Sequence, residues 1–127
     1  GKGGIGKSTL AASDPHPIFL ASEDGLDNIN THAAYPSTWA ELLQSVDEVA
    51  GLTAYDTIVI DSLDHFEPLC WDHVCKIGDD KGPKKGIEEF GFGKGYVAAL
   101  NEWRILLSKL LCLHLPVTPV VHQLHFY

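Results

Sequence analysis

Apolar residues recur along the chain with two different periods, and each change of period marks a new element. Ile18-Phe19-Leu20-Ala21 and Ile58-Val59-Ile60 are short continuous apolar runs. Such runs fit strands buried on both faces of a parallel sheet. The second lies within Tyr55–Ser62 and ends in Asp61, which predicts a buried strand with a carboxylate at its tip. Between the runs, Trp39, Leu42, Leu43, Val46 and Val49 repeat at helical spacing. Thr38-Trp39-Ala40-Glu41 reads as the capping box that opens this helix, and Gly51 stands where the helix would close. Asp64-His65-Phe66-Glu67 reads as a second capping box with Asp64 as the cap. The stripe Phe66, Leu69, Cys70, His73, Val74 and Ile77 follows it, with Pro68 tolerated near the first turn and Gly78 as the stop. A third helix is expected over 96–112, with Tyr96, Leu100, Trp103, Leu107, Leu110 and Leu111 as its apolar face. Leu115–Val121 is apolar again, but Pro116 and Pro119 would each remove a ladder donor and argue against a central strand.

Strands alternating with helices predict an α/β domain with a mostly parallel sheet. The start of the chain gives that prediction its chemistry. Gly1-Lys2-Gly3-Gly4-Ile5-Gly6-Lys7-Ser8-Thr9 fits G-x-x-x-x-G-K-[ST], the Walker A loop. Glycine lets the backbone approach phosphate oxygens and take conformations closed to other residues. The N–H groups then form an anion nest at the start of a helix, expected here from Lys7 to about Ser13 and ended by Asp14-Pro15-His16-Pro17. Gly1 to Thr9 are therefore the expected nucleotide-binding residues. Lys7 is expected to reach the β- and γ-phosphates, and Ser8 to place its hydroxyl on Mg²⁺. A P-loop normally follows a buried strand, nothing precedes Gly1, and the chain has no Met. It reads as an internal piece of a longer protein with the first strand of its sheet missing.

In open parallel sheets, ligands sit beyond the carboxyl ends of the strands. Glu23 and Asp24 follow the first apolar run and Asp61 ends the second. Asp61 in that position is the Walker B pattern, expected to hold Mg²⁺ and orient Ser8. Many P-loop ATPases place a glutamate directly after that aspartate, but Ser62 stands here and cannot act as a general base at neutral pH. Hydrolysis would need a carboxylate from another strand tip, and Glu23 is the candidate that orients and deprotonates the attacking water. His122-Gln123, after the last apolar run, is a polar pair that could sense the γ-phosphate.

Composition narrows the reading. A chain of 127 residues with 45% apolar residues fits one globular domain. Its net charge of −8 makes it a poor non-specific binder of nucleic acid as a whole. No apolar run is long enough for a transmembrane helix. Cys70, Cys75 and Cys112 are an odd, sparse set that suits a reducing cytoplasm. Cys70, His73 and Cys75 lie close together, but their spacing matches no zinc pattern, and buried thiols on an apolar helix face account for them. The stretch from about 78 to 95 reads as a flexible insert. It carries Lys81, Lys84, Lys85 and Lys94 with Phe90, Phe92 and Tyr96 interleaved. Basic and aromatic residues together can grip single-stranded DNA by charge and stacking, whereas an ordinary insert would tuck its aromatics onto the domain.

The Walker A loop, the strand–acid segment Phe19–Asp27 and the strand–Asp segment Ile58–Leu63 together resemble the RecA-like P-loop ATPases. Trp71-Asp72-His73-Val74-Cys75 and Glu89–Tyr96 are similar to the phage-type RecA-like ATP-binding proteins of the single-strand annealing and recombination group. The likeness extends to about Cys112. It implies a three-layer P-loop NTPase core and Mg²⁺-dependent ATP hydrolysis coupled to phage-type DNA recombination or repair. It also implies Glu23 as the catalytic glutamate, Lys7 and Ser8 on phosphate and Mg²⁺, Asp61 as the Walker B aspartate, and work as a ring or filament. His122-Gln123 would match the polar pair after the family's fourth strand, but Pro116 and Pro119 depart from the pattern, so the tail over 113–127 fits it poorly. Two other readings stand beside this one. Lys2-Gly3-Gly4-Ile5-Gly6-Lys7-Ser8 also resembles the deviant loop of the ParA/MinD and nitrogenase iron-protein group, in which the extra lysine reaches a partner's phosphate. The other is a nucleotide-binding fragment without catalysis.

Overall fold

The computed structural model of the chain describes residues 16–21, 32–52 and 55–120. Strand β1 (Pro17–Ala21) and strand β2 (His32–Ala34) come first, then helix α1 (Trp39–Ala50) and strand β3 (Thr57–Asp61). Helix α2 (Leu63–Ile77), a single 3₁₀ turn (Ile87–Phe90), helix α3 (Lys94–Cys112) and strand β4 (Val117–Val120) complete the order. The four strands form one sheet in the order β2-β1-β3-β4, and each neighbouring pair is parallel. This is the α/β architecture that the alternating periods predict, consistent with a P-loop NTPase core.

Every residue of β3 is buried, which is why its apolar run is continuous rather than alternating. Ile18, Leu20, Ile58 and Ile60 share one face and enter the same core cluster as Trp39, Leu42, Val46, Phe66, Cys70, Ala99 and Leu106 from the helices. Phe19 and Val59, at alternate positions, face the other side and are equally buried.

The helix starts differ from expectation in detail. At α1 the Thr38 hydroxyl accepts the Glu41 N–H at 3.1 Å, as a cap should. The Glu41 carboxylate reaches one residue further back than a capping box requires and accepts the Ser37 N–H at 2.8 Å. That bond, with one from the Ser37 hydroxyl, holds the Glu41 carboxyl below the usual carboxylate range. At α2 the expected cap is wrong. The helix starts at Leu63, with Ser62 as the N-cap residue and Asp64 inside the first turn. The chain turns into the helix directly at the end of β3, so no room is left for a separate cap two residues on.

The face of α3 is also rotated from expectation. Gly95, Ala99, Leu106 and Leu110 are its buried residues, whereas Leu107 and Leu111 lie exposed. Small residues win the inner face because the helix runs very close to its neighbours. A β-carbon at Gly95 would collide with the Ile87 carbonyl and stand 2.8 Å from the Phe90 ring. The Cys70 thiol lies 3.6 Å from the Ala99 carbonyl.

Pro116 and Pro119 do not prevent β4 from forming, because β4 is the last strand of the described sheet. The Ile58 N–H donates to the Pro116 carbonyl at 3.1 Å. In a parallel pair the residues that bond a neighbour alternate with those that face away. Thr118 therefore faces β3, and Pro119 turns its donor-less nitrogen to the outer edge, where proline is tolerated.

Candidate nucleotide site

Asp61 is the last residue of β3 and only 2% exposed. Its register partners are Ala21 at the end of β1 and Val120 at the end of β4. Asp61 thus places a buried carboxylate on the middle of three parallel strands, in register with Ala21 and Val120. Glu23 follows Ala21 by two positions in sequence, and Gln123 follows Val120 by three. Of the residues expected to form the site, Asp61 is the one the structure places. Gly1 to Thr9, with Lys7 and Ser8 among them, and Glu23, Asp24, His122 and Gln123 lie outside the described residues.

One contact beside Asp61 escapes the sequence reading. Ser62 is completely buried, and its Oγ lies 2.7 Å from His65 Nδ1. The Ser62 carbonyl accepts the His65 backbone N–H at 3.1 Å. The only signal for it in sequence is Ser and His three apart at a helix start, which the capping-box reading hides.

The stretch from Gly78 to Gly95 is crossed by specific bonds. The Lys84 ammonium meets the Asp79 carboxylate at 3.0 Å, and the Lys84 N–H donates to the Cys75 carbonyl at 2.7 Å. The Lys84 side chain, with the Lys81 N–H, holds the Asp79 carboxyl below its usual range. The Glu89 carboxylate accepts the Gly86 N–H at 2.6 Å. The Tyr96 hydroxyl donates to Glu88 at 2.8 Å, which raises its pKa. Ile87 is buried, and Phe90 and Tyr96 are half-buried. Phe92 stands apart: it is fully exposed, with φ of 53° between Gly91 at 76° and Gly93 at 72°.

Cys70 and Cys75 are buried thiols on α2. Burial, with the Glu102 and Glu67 charges behind it, pushes the Cys70 pKa up to about 12. His73 turns to Glu102 instead, with Nε2 to Oε1 at 3.2 Å. Among the described residues no group of three His, Cys, Asp or Glu side chains is placed to hold a metal ion.

The sequence pattern of the AAA domain family matches residues 1–125. The chain belongs to that AAA-domain family. Membership suggests nucleotide binding, usually with Mg²⁺, and ATPase activity at the level of the family. The chain is also 25% identical over 130 residues to the SPbeta prophage-derived uncharacterized protein YorG of Bacillus subtilis (strain 168). That alignment covers 96% of this chain and 39% of the relative, so this AAA domain spans well under half of that protein's length. No solved structure matches the chain. Among the described residues, no helix is long and apolar enough to cross a membrane.

Proposed function

We propose that this AAA domain binds ATP with Mg²⁺ and hydrolyses it. The observation that carries the reading is the buried Asp61 carboxylate at the tip of β3, level with Ala21 and Val120. A carboxylate at that place supplies the hard oxygen donor that Mg²⁺ prefers. The Walker A pattern, Gly1 to Thr9, supplies the phosphate cradle, with Lys7 on the phosphates and Ser8 beside Asp61 as the second cation residue. When bound, Mg²⁺ would offset negative charge on the phosphates. Glu23 would orient the attacking water and accept its proton, because Ser62 cannot. Gln123 would report the γ-phosphate to the end of β4.

The whole protein would couple this cycle to phage-type DNA recombination or repair as a ring or filament, in the cytoplasm of a bacterial or phage-infected cell. Support for the setting comes from the residue resemblance to the phage-type group and from a relative described as prophage-derived. The test is ATP turnover with and without Mg²⁺ in wild type, Lys7→Ala, Glu23→Gln and Lys2→Ala. Loss in the first two variants with Lys2→Ala unaffected is expected. Normal turnover in Glu23→Gln would refute the catalytic assignment. Loss in Lys2→Ala would favour the ParA/MinD-like reading. No Mg²⁺-ATP-dependent rise in melting temperature would leave a fragment without this function.

Single-stranded DNA is the partner that Phe92 favours. Lysines and acids balance in number along the loop: Lys81, Lys84, Lys85 and Lys94 against Asp79, Asp80, Glu88 and Glu89. Stacking on the exposed ring would therefore outweigh charge in binding. Phe92→Ala should weaken oligonucleotide binding about 10-fold, the effect of roughly 1–3 kcal/mol per stacked base, with melting temperature unchanged. Equal binding by the variant would remove this reading.

A further inference from the structure

Helix α3 is apolar on both sides. Its inner face packs through Gly95, Ala99, Leu106 and Leu110. On the outer face Val97, Leu100, Leu107 and Leu111 are all exposed, Leu107 by 55% and Leu111 by 77%. A helix apolar all round has a second surface to cover. The steps from Val97 to Leu100, Arg104, Leu107 and Leu111 alternate three and four residues. That is the heptad spacing of a coiled-coil seam, and the shape that fits such a seam is another helix. The seam is about 21 Å long at the rise of an α-helix.

Arg104 decides what that helix must carry. It is the one charged side chain among the exposed residues of α3 from Val97 to Cys112. Among the described residues it meets no carboxylate, and its guanidinium donates to the Asn101 side-chain oxygen on its own helix at 3.2 Å. Arg104 stands midway along the seam, so self-pairing in either direction brings two guanidiniums together with no carboxylate between them. A lipid surface fits no better. Helices that lie on membranes frame their apolar face with Lys and Arg, whereas this face has one such residue and the chain's net charge is −8. The chain's own segments outside the described residues do not match the seam either. Residues 22–31 and 121–127 are shorter than it, and 1–15 carries only Ile5 and Leu10 as large apolar residues.

We propose that the outer face of α3 docks an amphipathic helix of a partner protein, apolar at heptad spacing and carrying a carboxylate against Arg104. This surface goes beyond the nucleotide reading and does not depend on Asp61. The test uses two synthetic three-heptad peptides with leucine at the seam positions, one with Glu and one with Lys at the middle position. Each is titrated against the chain by fluorescence anisotropy. Wild type should bind the Glu peptide about 10-fold more tightly than the Lys peptide, and Arg104→Glu should reverse the order. Leu107→Gln and Leu111→Gln, both at exposed positions, should weaken binding of the Glu peptide with little change in melting temperature. No binding of either peptide, equal affinity for the two, no reversal in Arg104→Glu, or binding indifferent to both glutamine variants each overturns the proposal. Self-association on sedimentation that Leu107→Gln disrupts also overturns it and assigns the seam to a second copy. Capture by phosphatidylcholine vesicles that Leu107→Gln abolishes overturns it in favour of lipid.

Discussion

Glu102 on α3 accepts a hydrogen bond from the Trp39 indole of α1 at 3.1 Å. The same oxygen meets His73 of α2 at 3.2 Å, so one carboxylate joins all three helices. Trp39 is only 1% exposed and packs edge-on against Trp103 at 4.9 Å between ring centroids. Its N–H has no water to fall back on. Glu102→Ala should therefore cost about 1–3 kcal/mol, the penalty for an unpaired buried donor. Glu102→Gln, which keeps an acceptor for the indole, should cost clearly less. Urea denaturation with an unchanged m-value checks both.

Gly95 and Gly86 make a matched pair. A β-carbon at Gly95 runs into the Ile87 carbonyl and the Phe90 ring, whereas at Gly86 the nearest atom is a Glu89 carboxylate oxygen at 3.9 Å. Gly95→Ala should lose about 1–3 kcal/mol as overpacking does. Gly86→Ala should stay close to wild type. Paired thermal melts distinguish them.

The lowered Asp79 pKa carries a pH signature. A depressed carboxyl binds its proton less readily in the folded chain than in the unfolded one, so its contribution is fully present above the unfolded value of about 4. It is lost as pH falls through the folded value. Asp79→Asn should lower the melting temperature at pH 7, and the gap to wild type should close as pH drops below about 4. A gap that persists in acid would mean that Lys84 is not the group it serves.

The three cysteines should separate by reactivity. Cys112 is exposed, Cys75 is buried with its thiol pushed up by burial, and Cys70 sits at about 12. The thiolate is the reactive form. Mild alkylation of the folded chain followed by peptide mapping should label Cys112 first, and Cys70 only after denaturant is added.

Much of the fold is legible in the residues. The continuous runs at Ile18–Ala21 and Ile58–Ile60 mark β1 and β3, because a strand buried on both faces has no polar alternation to confuse it. β2 is not legible, since His32-Ala33-Ala34 is too short to carry a period. The face of α3 misleads because leucines at helical spacing outrank Gly95 and Ala99 by hydrophobicity, while the packing distance selects by size. At the site, Asp61 is readable as an acid closing an apolar run. The Ser62–His65 bond is not, because it depends on α2 starting at once after β3.

The outer edge of β4 has a consequence for solubility. Pro119 presents no N–H there, so a foreign strand docking against that edge would find a break in the row of donors. Among the described strands, β4 is thus a poor template for edge-to-edge pairing between molecules. The same proline that obscures the strand in the sequence interrupts the row of donors along the outer side of β4.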